Sequence, residues 1–301
     1  MDPGTKSPFL LRRRAEFLLA SAIGQQIRHT LDEGVSRITH PSTHCGGHST
    51  MNVPVPIAIT PVRVADLLAE GEVMPVYVHV IDHPDARVLV DTGLTELHPA
   101  VADMDPRIRP PSEWDFDLAG IDIVVNTHLH FDHCGGNHLF AGKPIYVQRR
   151  ELDDARSQDD YTIREWVDAP GVRYIAVDSE LELLPGIRLL SAPGHTPGHL
   201  VYVLEGKERD AIFTGDAAKN RAELLSRKGE ATYDAGVSST TIGRIWQLWS
   251  KRAGSVLVPG HDLPMTQKDG QVEYIGKREA ALKAWFGESI EDTTLIELNL
   301  R

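Results

Sequence analysis

The sequence predicts an α/β sandwich, one large domain behind an N-terminal extension. Three observations lead there. From residue 55 onward, short Val- and Ile-rich runs recur, each bounded by Gly, Pro or Asp, as strands are. Single helical stretches alternate with them, the pattern of layered α/β folds. A chain of 301 residues, 41% of them apolar, also has the material for a large core.

The elements follow in chain order. Residues 1–52 read as a helical extension and linker, and residues 53–301 as the main domain. An amphipathic helix is expected from about Phe9 to Asp32. Its basic start, Arg12, Arg13 and Arg14, precedes the apolar stretch Phe17–Ala22, a loose likeness to an export signal. That stretch is shorter than the ~7 to 15 apolar residues such a signal needs, and Glu16 interrupts it, so the helix is preferred. Met51 is an alternative start. Residues His40–His48 form a Gly-, Ser- and His-rich linker whose histidines are read as solvated rather than metal-bound.

Strands are expected at Val76–Ile81, Arg87–Val90, Ile121–Asn126, Pro144–Val147, Ile187–Ser191, Leu200–Leu204, Ala211–Phe213 and Ser255–Val258. Helices are expected at Glu96–Ala102, Arg149–Arg156, Ser239–Lys251 and Arg278–Trp285. In Ser239–Lys251, Ile242, Ile245, Trp246 and Trp249 recur at three- and four-residue steps, a buried helix face. The Pro- and Trp-containing loop Asp103–Asp117 is a candidate lid.

A formal charge of −12 argues against nucleic acid and anionic membrane as partners. No apolar run approaches the roughly 18 to 20 residues of a membrane span. Two cysteines, Cys45 and Cys134, in unlike contexts make a disulfide framework improbable and a reducing, cytoplasmic setting the expectation.

The chemistry concentrates in Asn126-Thr127-His128-Leu129-His130-Phe131-Asp132-His133-Cys134-Gly135-Gly136-Asn137, which follows an expected strand. Three imidazoles and a carboxylate within six residues are costly as core, because each needs a buried hydrogen-bond partner. As ligands for a borderline-soft metal such as zinc they are well chosen. Three more polar residues end expected strands: His195 in Pro193-Gly194-His195, Asp216 in Thr214-Gly215-Asp216, and His261 in Pro259-Gly260-His261-Asp262. Each follows a glycine, which lets the chain turn sharply toward a shared centre.

That order, His-x-His-x-Asp-His followed by His, Asp and His, resembles the metallo-β-lactamase superfamily over about residues 55–270. The segments His128–Asn137 and Pro259–Asp262 are similar to the N-acyl homoserine lactonase and pyridoxolactonase branch. The resemblance implies a four-layer αββα sandwich and two Zn2+ per chain. It assigns His128, His130 and His195 to one metal, Asp132, His133 and His261 to the second, and Asp216 to both. Two cations sharing a carboxylate also accommodate seven protein ligands that one tetrahedral zinc cannot.

The implied reaction is hydrolysis of a small-molecule lactone or related ester by a metal-bridging hydroxide, with Asp132 relaying a proton to the leaving group. His199 matches no ligand position and is assigned to the surroundings of the site. Asp91, at the end of Arg87–Val90, orients a ligating histidine by the same resemblance, against the alternative of a simple turn. Cys134 is read as a small buried thiol.

One position departs from the lactonases. Where they carry a tyrosine three residues after the bridging aspartate, this chain has Lys219. A lysine there either acts in the site, stabilising an oxyanion as a catalytic group or pairing with a substrate carboxylate, or is a solvated cation, with nothing in the sequence to separate these.

Within the same fold the alternatives are a glyoxalase II type thioester hydrolase and a mononuclear iron persulfide dioxygenase. The second would not use His261. A β-lactamase and a non-catalytic module fit less well, and a homodimer is compatible with the sequence.

Overall fold

The computed structural model describes residues 57–69, 72–275, 278–285 and 293–300. The expected helix Phe9–Asp32, the linker His40–His48 and Cys45 lie outside them. Sixteen strands are found among the described residues: β1 (Ala58–Ala69), β2 (Glu72–Asp82), β3 (Arg87–Val90), β4 (Arg107–Ile108), β5 (Ile123–Val125), β6 (Pro144–Gln148), β7 (Arg173–Val177) and β8 (Leu181–Leu184), then β9 (Ile187–Ser191), β10 (Leu200–Leu204), β11 (Ala211–Gly215), β12 (Val256–Pro259), β13 (Met265–Lys268), β14 (Gln271–Tyr274), β15 (Arg278–Trp285) and β16 (Thr293–Leu300).

They form two sheets. The nine-stranded sheet runs β16-β15-β4-β1-β2-β3-β5-β6-β7 and the seven-stranded sheet runs β14-β13-β12-β11-β10-β9-β8. β3, β5, β6 and β7 pair in parallel, as do β11 and β12, while the remaining pairs are antiparallel.

The side-chain alternation of β10 shows how the layers stack. All five of its residues are buried. Leu200, Tyr202 and Leu204 face the other sheet, meeting Ile81, Val88, Val90 and Val125. Val201 and Val203 point the opposite way, onto Ile242, Ile245 and Trp249 of the helix Ala235–Ser250. A strand covered on both faces is continuously apolar, whereas a half-covered one alternates.

On the far side of the nine-stranded sheet, Val64, Val78 and Leu89 pack against Trp114, Ile163 and Trp166. The result is the four-layer αββα sandwich. Asp234 caps the long helix, accepting from the backbone N–H of Gly236 and Val237 at 2.8 and 2.9 Å.

The expected core strands are present, three of them with the predicted bounds. The helix expected at Arg278–Trp285 is corrected to strand β15, which pairs with β16 along its length and with β4. Its Ala, Leu and Lys residues favour helix, but partners on both edges satisfy the extended backbone, and tertiary pairing overrides propensity.

The helix expected at Glu96–Ala102 is a 3-10 turn over Pro99–Met104. Pro99 cannot donate to a preceding turn, so helix cannot run through it. The loop expected as a lid is built into the fold instead. β4 joins the nine-stranded sheet, and Trp114 is buried in the core with its indole N–H donating to the Arg109 carbonyl at 3.0 Å.

Candidate metal centre

Five strand ends deliver the polar residues singled out in the sequence. Asp91 follows β3, His128 to His133 follow β5, His195 follows β9, Asp216 follows β11 and His261 follows β12. Carboxyl ends of strands are where open α/β sheets build their sites. The preceding glycines matter: Gly215 adopts φ +46°, and a Cβ on Gly260 would stand 2.4 Å from the Asp216 carboxylate.

The side chains converge in three overlapping groups whose donor atoms lie within 4.8 Å of one another: His128, His130 and His195; His128, His133 and Asp216; Asp132, His133 and His261. His195 Nε2 lies 3.0 Å from His130 Nδ1, and His133 Nε2 lies 3.4 Å from His261 Nε2. Asp132 Oδ2 is 3.5 Å from His261 Nε2.

Asp216 joins the groups. Its Oδ1 lies 3.2 Å from His133 Nε2 and 3.1 Å from His261 Nε2, while its Oδ2 lies 3.4 Å from His195 Nε2. Imidazole nitrogens facing one another at this range need a proton on one ring, or a cation between them, to offset lone-pair repulsion. Two ligands held at about 2.0–2.1 Å by one tetrahedral zinc stand about 3.4 Å apart. His128 Nε2 is buried without a hydrogen-bond partner, as a donor atom reserved for a cation would be. The donor set therefore fits metal binding.

Electrostatics agree with that fit. Burial and the neighbouring histidines push the His128 imidazole well below its usual range, leaving it neutral and ready to ligate. Burial also opposes charge on His133 and His261, yet Asp216 and Asp132 pull both pKa values up. Burial would raise the carboxyl of Asp216, but His261, His133 and His195 hold it well below the ordinary range. The carboxylates thus demand positive charge at this spot, which a proton or a metal cation can supply.

The donors are held from behind. His133 Nδ1 lies 2.8 Å from Asp91 Oδ2, and His261 Nδ1 lies 2.8 Å from the Pro75 carbonyl of β2. Asp91 also accepts from the Thr127 N–H at 2.7 Å and the Thr127 hydroxyl at 2.8 Å. Its backbone takes φ +57°, a left-handed conformation that Asp tolerates better than most residues. His199 Nε2 accepts from the Asp216 N–H at 3.0 Å, and burial lowers its pKa to about 3. Cys134 is fully buried, and burial pushes its thiol up and out of the reactive range.

Lys219 lies just past Asp216, with its ammonium 2.6 Å from Glu223 Oε1 and donating to the Glu230 carbonyl at 2.5 Å. It is buried, which sets aside the solvated alternative. Sequence reasoning passed over Glu223, and also Thr127, the Pro75 carbonyl and Glu151. Glu151 sits in a charged helix start that looks like any exposed one, and a backbone carbonyl has no sequence signature.

Residues 71–261 match the Metallo-beta-lactamase superfamily. The chain is 27% identical over 234 residues to an N-acyl homoserine lactonase of Bacillus sp, covering 72% of this chain and 88% of that one. It is 26% identical over 220 residues to N-acyl homoserine lactonase AttM of Azorhizobium caulinodans, covering 63% and 82%.

Among solved structures, B. thuringiensis AiiA with N-decanoyl-L-homoserine bound at the active site superposes with a TM-score of 0.59 at 24% identity, covering 68% of this chain and 92% of that one. A probable metal-dependent hydrolase from Staphylococcus aureus gives 0.63 at 17% identity, covering 73% and 96%. AidC, a dizinc quorum-quenching lactonase, gives 0.53 at 15% identity, covering 69% and 81%.

Proposed function

Because this chain belongs to the metallo-beta-lactamase superfamily, we propose that it is a dinuclear zinc lactonase, with N-acyl homoserine lactones as the first substrates to test and quorum quenching as the corresponding role. Its chemistry is that of a metal-dependent hydrolase. One observation carries the dinuclear reading: Asp216 turns one oxygen to His133 and His261 and the other to His195. In this reading His128, His130 and His195 hold one zinc, Asp132, His133 and His261 the other, and Asp216 spans both. The lactone substrate is supported by the relatives named N-acyl homoserine lactonase.

Two bound zinc ions would supply Lewis acidity, making water a nucleophile near neutral pH and polarising the ester carbonyl. The protein contributes orientation and proton traffic. Asp91 fixes the His133 ring so that Nε2 faces the centre, and the Pro75 carbonyl does the same for His261. Asp132 is the group assigned to carry a proton to the leaving alkoxide. Lys219 enters the reading as a positive charge close enough to act on His195, held by Glu223. A role at the substrate carbonyl requires it to leave that carboxylate.

The test is a panel of N-acyl homoserine lactones, other lactones, thioesters and β-lactams, run beside elemental analysis. The expected result is two zinc ions per chain and lactone opening that chelation abolishes and zinc restores. Turnover confined to thioesters would transfer the assignment to the glyoxalase II type. One iron per chain with oxygen consumption on a persulfide would remove hydrolysis altogether.

A further inference from the structure

Glu151 is a fully buried carboxylate in the first turn of the helix Arg149–Ser157. Charged groups are buried this completely only where hydrogen bonds replace water, and the partners of Glu151 are unusual in where they lie. Its Oε1 accepts from the backbone N–H of Leu129 at 3.0 Å and also from the Tyr161 hydroxyl. Its Oε2 accepts from the Thr196 hydroxyl at 2.7 Å.

Leu129 stands between His128 and His130, and Thr196 directly follows His195. One carboxylate thus ties together the two chain segments that must meet to form the His128, His130 and His195 group. Two further contacts tighten the arrangement. The Tyr161 ring lies 5.3 Å from the His130 ring. The loop after Thr196 presses so closely on the helix start that a Cβ on Gly198 would stand 2.4 Å from the Glu151 nitrogen.

We propose that Glu151 is a positioning residue for one half of the metal centre, clamping the His128–His130 and His195 loops at the spacing a zinc ion needs while leaving the Asp132, His133 and His261 half untouched. The inference rests on the dinuclear reading. Glu151 touches neither metal nor substrate. It sets the distance between ligands that come from opposite sheets, so its loss should act on affinity at one site rather than on both.

Stepwise chelator competition on the full-length zinc protein, repeated with cobalt so that the absorption bands report each coordination sphere, tests this. In Glu151→Leu, one metal should bind roughly 10- to 100-fold more weakly, the range seen when groups that orient metal ligands are removed. The other metal should keep its wild-type affinity. Glu151→Gln keeps an acceptor for Leu129 and can donate to the Thr196 hydroxyl, so it should restore most of the loss.

If Glu151→Leu does not fold, Thr196→Val removes one arm of the clamp in a folded protein and should weaken the same metal by a smaller factor. Equal weakening of both metals, or no change at either in Thr196→Val and any folded Glu151→Leu, overturns the clamp. Wild-type protein that never takes up two metals overturns the dinuclear reading itself, a separate result.

Discussion

The two halves of the centre are braced in different ways. On the Asp132, His133 and His261 side, support goes directly onto the rings: Asp91 holds His133 Nδ1 and the Pro75 carbonyl holds His261 Nδ1, each at 2.8 Å. On the His128, His130 and His195 side, the Thr127 hydroxyl meets the His128 ring at 3.1 Å, while Glu151 holds the Leu129 backbone and the Thr196 hydroxyl rather than a ring. Direct bracing fixes ring orientation and raises ligand basicity, whereas indirect bracing fixes only the distance between loops. One half is therefore built to tolerate less disturbance than the other.

Asp91→Ala is the sharpest way to break this contrast. It removes the acceptor for His133 Nδ1 and for both Thr127 donors, and leaves them buried. Under the proposed two-zinc reading, affinity for the metal assigned to His133 should fall by at least about 10- to 100-fold. Because Thr127 also approaches His128 Nδ1 at 3.1 Å, a smaller loss at the other metal is expected. Chelator competition followed by metal counting checks both. A larger loss on the His130 and His195 side would reverse the comparison.

The same contrast explains what the sequence disclosed. His128, His130, Asp132 and His133 are adjacent in the chain, so their clustering was visible without a fold. His195, Asp216 and His261 were found because each follows a glycine at a strand end. The braces were harder. Asp91 was reached through resemblance, while Glu151 lies in Arg149-Arg150-Glu151, a charged run with no mark of burial.

In the fold, β10 was legible because burial on both faces makes it apolar throughout, and β9 because its buried positions are Ile187, Leu189 and Leu190. β15 was misread because its Ala- and Lys-containing sequence favours helix, and only the neighbouring strands make it extended.

Lys219 and Glu223 extend the comparison to a third support, a buried ion pair beside the His195 half. Lys219→Met takes the cation from the buried Glu223 carboxylate and leaves it the backbone N–H groups of Lys219 and Glu230, each at 2.7 Å. Breaking one side of such a pair costs about 3–5 kcal/mol, measurable by urea unfolding. Adding Glu223→Gln removes the stranded charge and should return part of that stability. Turnover that stays low in the stabilised double variant, with both metals retained, assigns the ammonium to the carbonyl chemistry. Turnover that returns with stability makes the pair a structural support alone.

The smallest effect concerns His79 on β2, which neither brace touches. It is buried, with its ring edge-on to Phe213 at 5.3 Å. Burial first, and His133 second, lower its pKa from 6.5 to about 3. The unfolded chain therefore binds this proton between those values and the folded chain does not. The stability this residue contributes is complete above pH 6.5 and is lost as the pH falls from 6.5 toward 3. His79→Phe removes that linkage, so proton uptake on unfolding near pH 5 should drop by about one. Unfolding free energies measured across this range give the slope directly. An unchanged slope would mean that His79 is charged in the folded protein, and that the positive charge gathered around Asp216 extends beyond His133 and His261.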